Sequence, residues 1–408
     1  MKCRHCQTEL TLQLIDLGSA PPSNAYLTQS TMRRAEKWFP LKVLVCESCW
    51  LVQAESYSKA EELFNDEYAY FSSFSDQWLK HAENYVNTMM DRFALTADSH
   101  VIEVASNDGY LLQYVKQRGI PCLGIEPTAS TSEAARLKGI DTIEEFFDVS
   151  LAGSLVNQGK QADLIAANNV LAHVPDINGF AAGFATLLKP QGVATFEFPH
   201  LMHLIEGRQF DTIYHEHFSY LSFSTVVSIL NTNGLSVFDV EELDTHGGSL
   251  RVFAQRKDMG KHPVNSRVTG LLNMEAAAGM NRTTYYEGFQ AHADMVKNDF
   301  LSFLLGAKRA GKTVAGYGAA AKGNTLLNYA GVRPDLLPYV VDRNPAKQDK
   351  FLPGCRIPIV AEAHLKQIRP DYVVILPWNL REEVMVQLGY IREWGGQFVT
   401  AVPNIEFV

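Results

Sequence analysis

The chain has 408 residues, 46% apolar and 20% charged, with a formal net charge of −9. That length predicts two or three domains with ordinary cores, and no apolar run is long enough to span a membrane. The acidic balance, with a pI near 5.8, argues against a broad nucleic-acid surface and favours small-molecule partners. The opening MKCRHCQTEL lacks the apolar core and cleavage site of a signal peptide, so the expected location is cytoplasmic.

Residues 1–62 carry two cysteine pairs, Cys3-x-x-Cys6 and Cys46-x-x-Cys49. Each knuckle puts two thiolates on one side of a tight turn, and the two together supply four sulfurs to a closed, structural zinc site. Disulfides are the rival reading, and a nucleic-acid-binding ribbon lacks the Lys/Arg stripe it would need. Cys122 and Cys355 stand alone and read as inert thiols. A helical linker, residues 63–97, holds Tyr68 and Tyr70, then a helical run from Ser75 through Phe93. Its tyrosines fit either a core or an adjacent cleft.

Residues 98–258 read as a doubly wound unit: a strand at His100–Ala105, the turn Ser106–Gly109, a helix opening at Tyr110, and a second strand from Cys122 to the acidic Glu126. With one glycine in the turn, a dinucleotide is disfavoured; a polar turn followed by a carboxylate suits S-adenosylmethionine. The candidate cofactor contacts are Glu103, Ala105, Asn107, Gly109 and Glu126, with Asn168, Asn169 and His173 after a later strand. Loop capping competes for Asn168 and His173. Strands at Leu235–Leu243 and Leu250–Gln255, joined by His246-Gly247-Gly248, predict a closing antiparallel hairpin, as in class I methyltransferases.

Tyr214-His215-Glu216-His217 sets a phenol, two imidazoles and a carboxylate side by side. Packing gains nothing from this grouping, whereas proton transfer requires such groups; without HExxH spacing no metal is expected there. A helical connector, 259–310, leads to a second α/β unit, 311–408. There Gly316, Gly318, Lys322 and Asn324 open a helix after a strand, and Asp342 closes the next strand. This arrangement suits a diphosphate, and tight helix–strand packing is the alternative. The expected fold class is therefore α/β: a class I methyltransferase domain with Rossmann-like topology, a second Rossmann-like domain, and a small zinc-binding domain.

Together the cysteine knuckles, LGSAPPSNAYL, the Tyr68–Ser73 segment, VIEVASNDGYLL, DTIYHEH, GYGAAAKGNTLLN, VVDRNPAKQ and LPWN resemble, end to end, the C-methyltransferases of nucleotide-linked 4-keto-6-deoxy sugars. The resemblance implies methylation at C3 of a sugar carried by a nucleotide such as dTDP. His217 would be the base, Glu216 an orienting group, Tyr214 a donor near the ketone, and Tyr68 an assistant from the other side. Tyr70, His215, Gly316, Gly318, Lys322, Asn324 and Asp342 would contact substrate. Ala105 stands where many unrelated methyltransferases carry glycine. C5 methylation in the same family, O- or N-methylation, and a non-catalytic zinc-ribbon binding protein are the rivals; monomer and homodimer are both compatible with the chain.

Overall fold

A computed structural model of the chain describes residues 1–57 and 71–408. Three sheets organise them. The first contains β1 (Leu12–Ala20), β2 (Phe39–Val45) and β3 (Val52–Ala54), all antiparallel neighbours. The second knuckle, Cys46–Cys49, is the hairpin turn between β2 and β3, so zinc ligation and strand pairing share the same residues. Side chains alternate across a strand, and here the alternation divides two cores. Leu44 and Leu51 join the core of the methyltransferase unit, whereas Val43, Val45 and Val52 join the core beneath the C-terminal unit. The small sheet is thereby clamped between the two larger ones, each buried aliphatic contributing roughly 1.5–3 kcal/mol.

The second sheet has the strands β4 (Val101–Val104), β5 (Cys122–Ile125), β6 (Thr142–Ile143), β7 (Ala162–Asn168) and β8 (Leu188–Pro199), followed by β10 (Leu235–Leu243) and β11 (Ser249–Arg256). Their spatial order is β10-β11-β8-β7-β4-β5-β6, with β11 antiparallel to both its neighbours, so the expected hairpin is present. Intervening β9 (Ser219–Tyr220) leaves this domain and pairs with β3 of the first sheet. Helix α1 (Asp76–Phe93) is capped by the Ser75 hydroxyl and buries Ala82, Tyr85, Val86 and Met89 on one stripe. Tyr85 reaches Thr195 on β8 at 2.6 Å.

The helical connector expected at 259–310 contains two long helices: α2 (Ser266–Ala278), which packs on β10, and α3 (Phe289–Arg309). Gly279 and Gly288, at φ 87° and 83°, take the left-handed conformation that ends one helix and begins the next. The third sheet follows as β12 (Val314–Tyr317), β13 (Val340–Val341), β14 (Ile359–Val360), β15 (Tyr372–Ile375), β16 (Gln397–Thr400) and β17 (Glu406–Phe407), in the order β14-β13-β12-β15-β16-β17. All its pairings are parallel except β16–β17, and helix α4 (Ala321–Tyr329) follows β12.

Candidate active site

The four cysteine sulfurs Cys3, Cys6, Cys46 and Cys49 lie within 4.8 Å of one another. The contacts Cys3–Cys49 and Cys6–Cys46 are both 3.5 Å. A tetrahedral site with Zn–S bonds of about 2.3 Å places its sulfurs about 3.8 Å apart, so this set fits zinc. Both knuckles close identically. The residue after the second cysteine takes a positive φ (Gln7 63°, Trp50 61°), and its N–H donates to the first cysteine's carbonyl at 3.1 and 2.8 Å. Gln53, fully buried, donates to Cys3 Sγ at 3.3 Å and orients it from behind.

At the carboxyl ends of β4, β5 and β7 the predicted cofactor residues converge. Ala105, Asn107 and Gly109 all have positive φ (58°, 49° and 73°), which is why glycine suits position 105 and why alanine there is strained. Glu126 holds this turn: one oxygen accepts from the Asn107 N–H at 2.9 Å, the other from Thr128 N–H at 3.0 Å. A carboxylate has about four acceptor positions, so capacity remains for a ribose hydroxyl. The segment before α1 closes over the turn, with Ser72 N–H donating to Asn107 Oδ1 at 2.9 Å. Tyr68 and Tyr70 lie outside the described residues. Gly109 faces Ile140, whose Cδ1 would sit 2.4 Å from any Cβ there, so its role is to make the turn.

Glu103 is fully buried beside Tyr110, and burial pushes its carboxyl well above the usual range. Asn168 and Asn169 end β7; Asn169 Nδ2 donates to His246 Nε2 at 3.3 Å. Trp78 of α1 lies over this end, its ring 5.3 Å from His246 and 5.8 Å from Tyr110. Among the described residues, the buried atoms Asp108 Oδ1 and Asn169 Oδ1 have no hydrogen-bond partner. Orphaned acceptors around a strained polar turn fit the amino and hydroxyl donors of S-adenosylmethionine.

The YHEH turn lies between a short helical turn, Phe210–Thr212, and β9. His217 Nδ1 is 2.9 Å from the Thr212 carbonyl, which can only accept, so Nδ1 carries the proton and Nε2 keeps its lone pair. Tyr214 O–H donates to that Nε2 at 2.7 Å. Burial, reinforced by His173, holds the His217 pKa well below the ordinary imidazole value. His173 donates from Nδ1 to the Glu216 carbonyl at 2.8 Å; its ring sits 4.7 Å from that of His217, and burial lowers its pKa to about 4. Glu216 is buried and pushed upward in pKa, accepting from Asn24 Nδ2 at 3.2 Å. His215 was expected among the substrate contacts. Its Nε2 instead sits 3.3 Å from the carbonyls of Phe39 and Pro40 on β2, which makes it a tie between the turn and the zinc domain.

In the C-terminal unit, Gly318 has φ +89°, and the place of its Cβ is taken by Pro377 at 2.5 Å. Gly316 lies inside β12 against Val340 at 2.9 Å, so both glycines are accounted for by close packing. Asp342 accepts from the Ala319 and Asn344 N–H groups, each at 2.8 Å. Asn324 is buried with its Nδ2 unpartnered among the described residues. Lys322 Nζ donates to Asn379 at 3.1 Å and lies 4.6 Å from the Trp378 ring centre. Trp378 Nε1 in turn donates to Asp211 Oδ2 at 2.8 Å. Burial lifts the Asp211 pKa to about 6 and lowers that of Lys322 to about 8.

Residues not singled out by chemistry thus complete the site: Asn24, Asp211, His246, Trp378 and Asn379. Asn24, Asp211, Trp378 and Asn379 stand inside SNAYL, DTIYHEH and LPWN, stretches that carried the resemblance. Their partners lie between 57 and 192 residues away, so no local spacing marked them.

The sheet order, the polar turn and the strand-end cluster define a class I S-adenosylmethionine-dependent methyltransferase. Family models match along the chain: a zinc binding domain (residues 3–64), a methyltransferase domain (78–240) and a C-methyltransferase C-terminal domain (244–403). The C-methyltransferase NovU of Streptomyces niveus is 33% identical over 403 residues, covering 99% of this chain and 96% of that protein. The chain belongs to this C-methyltransferase family and is an S-adenosylmethionine-dependent C-methyltransferase. A ubiquinone biosynthesis O-methyltransferase of Bartonella quintana is 27% identical over 94 residues, 23% of this chain and 38% of its own. Magnesium protoporphyrin IX methyltransferase (ChlM) of Synechocystis PCC 6803 is 15% identical with a TM-score of 0.36, over 44% of this chain and 83% of that one. Among the described residues no helix is long and apolar enough to cross a membrane.

Proposed function

We propose that this C-methyltransferase acts at C3 of a dTDP-linked 4-keto-6-deoxy sugar, through an enolate raised by His217. The observation that carries the reading is the imidazole itself, pinned by its Nδ1 proton with the Nε2 lone pair directed at a hydroxyl. A methyl acceptor at oxygen or nitrogen already owns a lone pair; an acceptor carbon must be given one. A sugar C–H is acidic enough only beside a carbonyl, which is why the substrate is a 4-ketone.

His217 Nε2 takes the C3 proton, the C–H pair becomes the C3–C4 double bond, and the carbonyl pair moves onto oxygen. Tyr214, released from Nε2 by the substrate, donates near that oxygen, while Glu216 orients the turn through its backbone contact with His173. S-adenosylmethionine supplies the electrophilic methyl carbon, and Glu126, Asn168 and Asn169 would hold it at the strand ends. The zinc domain and the C-terminal unit close the cleft from both sides, and a desolvated site favours a neutral base. The nucleotide is assigned to the C-terminal unit around the opening of α4.

The test is methyl transfer to dTDP-4-keto-6-deoxyglucose and to its C4-reduced analogue, read by mass spectrometry. Methyl gain with the ketone alone is expected. Equal gain with the alcohol means O-methylation and overturns the reading.

A further inference from the structure

The proposed reaction needs a counter-charge where the C4 oxygen becomes negative, and a base whose own cation is suppressed by burial does not provide it. We infer that Lys322 is a catalytic residue: its ammonium donates to the C4 oxygen of the keto sugar and stabilises the enolate, with no part in holding the diphosphate. The inference rests on the keto-sugar enolate proposed above.

Three contacts fix where this side chain points. Helix α4 sits on the loop that leads into the YHEH turn, with Thr325 Oγ1 donating to the Ile213 carbonyl at 2.9 Å. Lys322 is three residues earlier, which puts it on the same face of the helix. Trp378 then wedges beneath the ammonium, held by Asp211 on one side and by the hairpin turn on the other; a Cβ on Gly247 would lie 2.5 Å from its Cη2. Cation–π contact with the indole and the bond to Asn379 leave Nζ little freedom.

The direction is towards the chemistry. The charge of Lys322 acts on both His217 and His246, which stand on separate loops at the carboxyl edge of the methyltransferase sheet. An ammonium has three donors, and among the described residues Nζ has one acceptor, Asn379. The side chain is surrounded by protein yet retains accessible surface, as expected of a group on a cavity wall. Burial lowers its pKa to about 8, which leaves it mostly cationic near neutrality and so able to donate to a developing oxyanion.

The experiment follows deuterium entry at C3 of dTDP-4-keto-6-deoxyglucose in deuterated water, without S-adenosylmethionine, at saturating sugar nucleotide. Binding of dTDP is measured in parallel by calorimetry. In Lys322→Met, exchange is expected to slow about 10²–10³-fold, the usual cost of one oxyanion donor, with dTDP affinity unchanged. Lys322→Arg, which keeps the charge, retains more of the rate. Wild-type exchange in Lys322→Met, losses of equal size in both variants, or a loss that follows weakened dTDP binding each overturn the inference. Absence of exchange in the wild-type protein removes the proposed C3 enolate of this keto sugar, and the inference with it.

Discussion

In both doubly wound units an acidic side chain just beyond the second strand accepts from the backbone of the first turn. Glu126 takes Asn107 and Thr128; Asp342 takes Ala319 and Asn344. Beyond this shared clasp the units part. In the methyltransferase unit the turn is polar and strained, and among the described residues the buried acceptors Asp108 Oδ1 and Asn169 Oδ1 around it have no partner. In the C-terminal unit the space above the glycines is filled by Val340, Pro377 and Leu376. One unit leaves buried acceptors at its switch point; the other packs side chains against its glycines and reaches its neighbour through Trp378, which donates to Asp211. A strand–turn–helix–acid pattern therefore marks a topology, and only the atoms facing the turn show whether a cofactor belongs there.

The largest effect tests whether the chemistry sits between the units. His217→Ala should lower methyl transfer about 10³-fold, with S-adenosylmethionine affinity unchanged. Loss confined to KM would place the base elsewhere. Cys46→Ser should release zinc, measured by mass spectrometry of the metal, and reduce activity to below about one-tenth, because β9 carries the YHEH turn into the sheet that zinc closes. Retained activity in the zinc-free protein would break that link.

A matched pair sharpens the comparison itself. Glu126→Ala should weaken S-adenosylmethionine binding about 10-fold or more, the weight of a charged hydrogen bond, while Asp342→Ala lowers the melting temperature and leaves that affinity alone. Gly318→Ala, which meets Pro377 at positive φ, should destabilise the fold by about 1–3 kcal/mol with cofactor affinity intact. The smallest effect is one of pH. Burial depresses the His217 pKa, so the imidazole stays neutral as pH falls through the ordinary value near 6.5. The initial rate should be flat from pH 7.5 to 6.5; a half-loss centred near 6.5 would contradict the assigned environment.

Much of this was legible because the signals are local. The knuckle spacing, the apolar strands and the hairpin before Gly248 each depend on neighbours in sequence, and each is found. The break between α2 and α3 is hard to read because no proline marks it; it rests on Gly279 and Gly288, and glycine near a helical pattern is ambiguous. The two glycines Gly316 and Gly318 show a limit of spacing: a glycine needed for close packing and one needed for phosphate are the same letter, and Pro377, which packs on Gly318, is far along the chain. His215 shares its stretch with His217 yet serves β2, because adjacent residues of a turn face different partners.

The most direct test of the account is the position of the transferred carbon. Wild-type protein and His217→Ala are given methyl-¹³C S-adenosylmethionine and dTDP-4-keto-6-deoxyglucose, and the product is read by NMR. The account predicts a methyl group bonded to C3 in the wild type and none in the variant. A label on oxygen would contradict it outright, and a label on C5 would keep the enolate and move the site of attack.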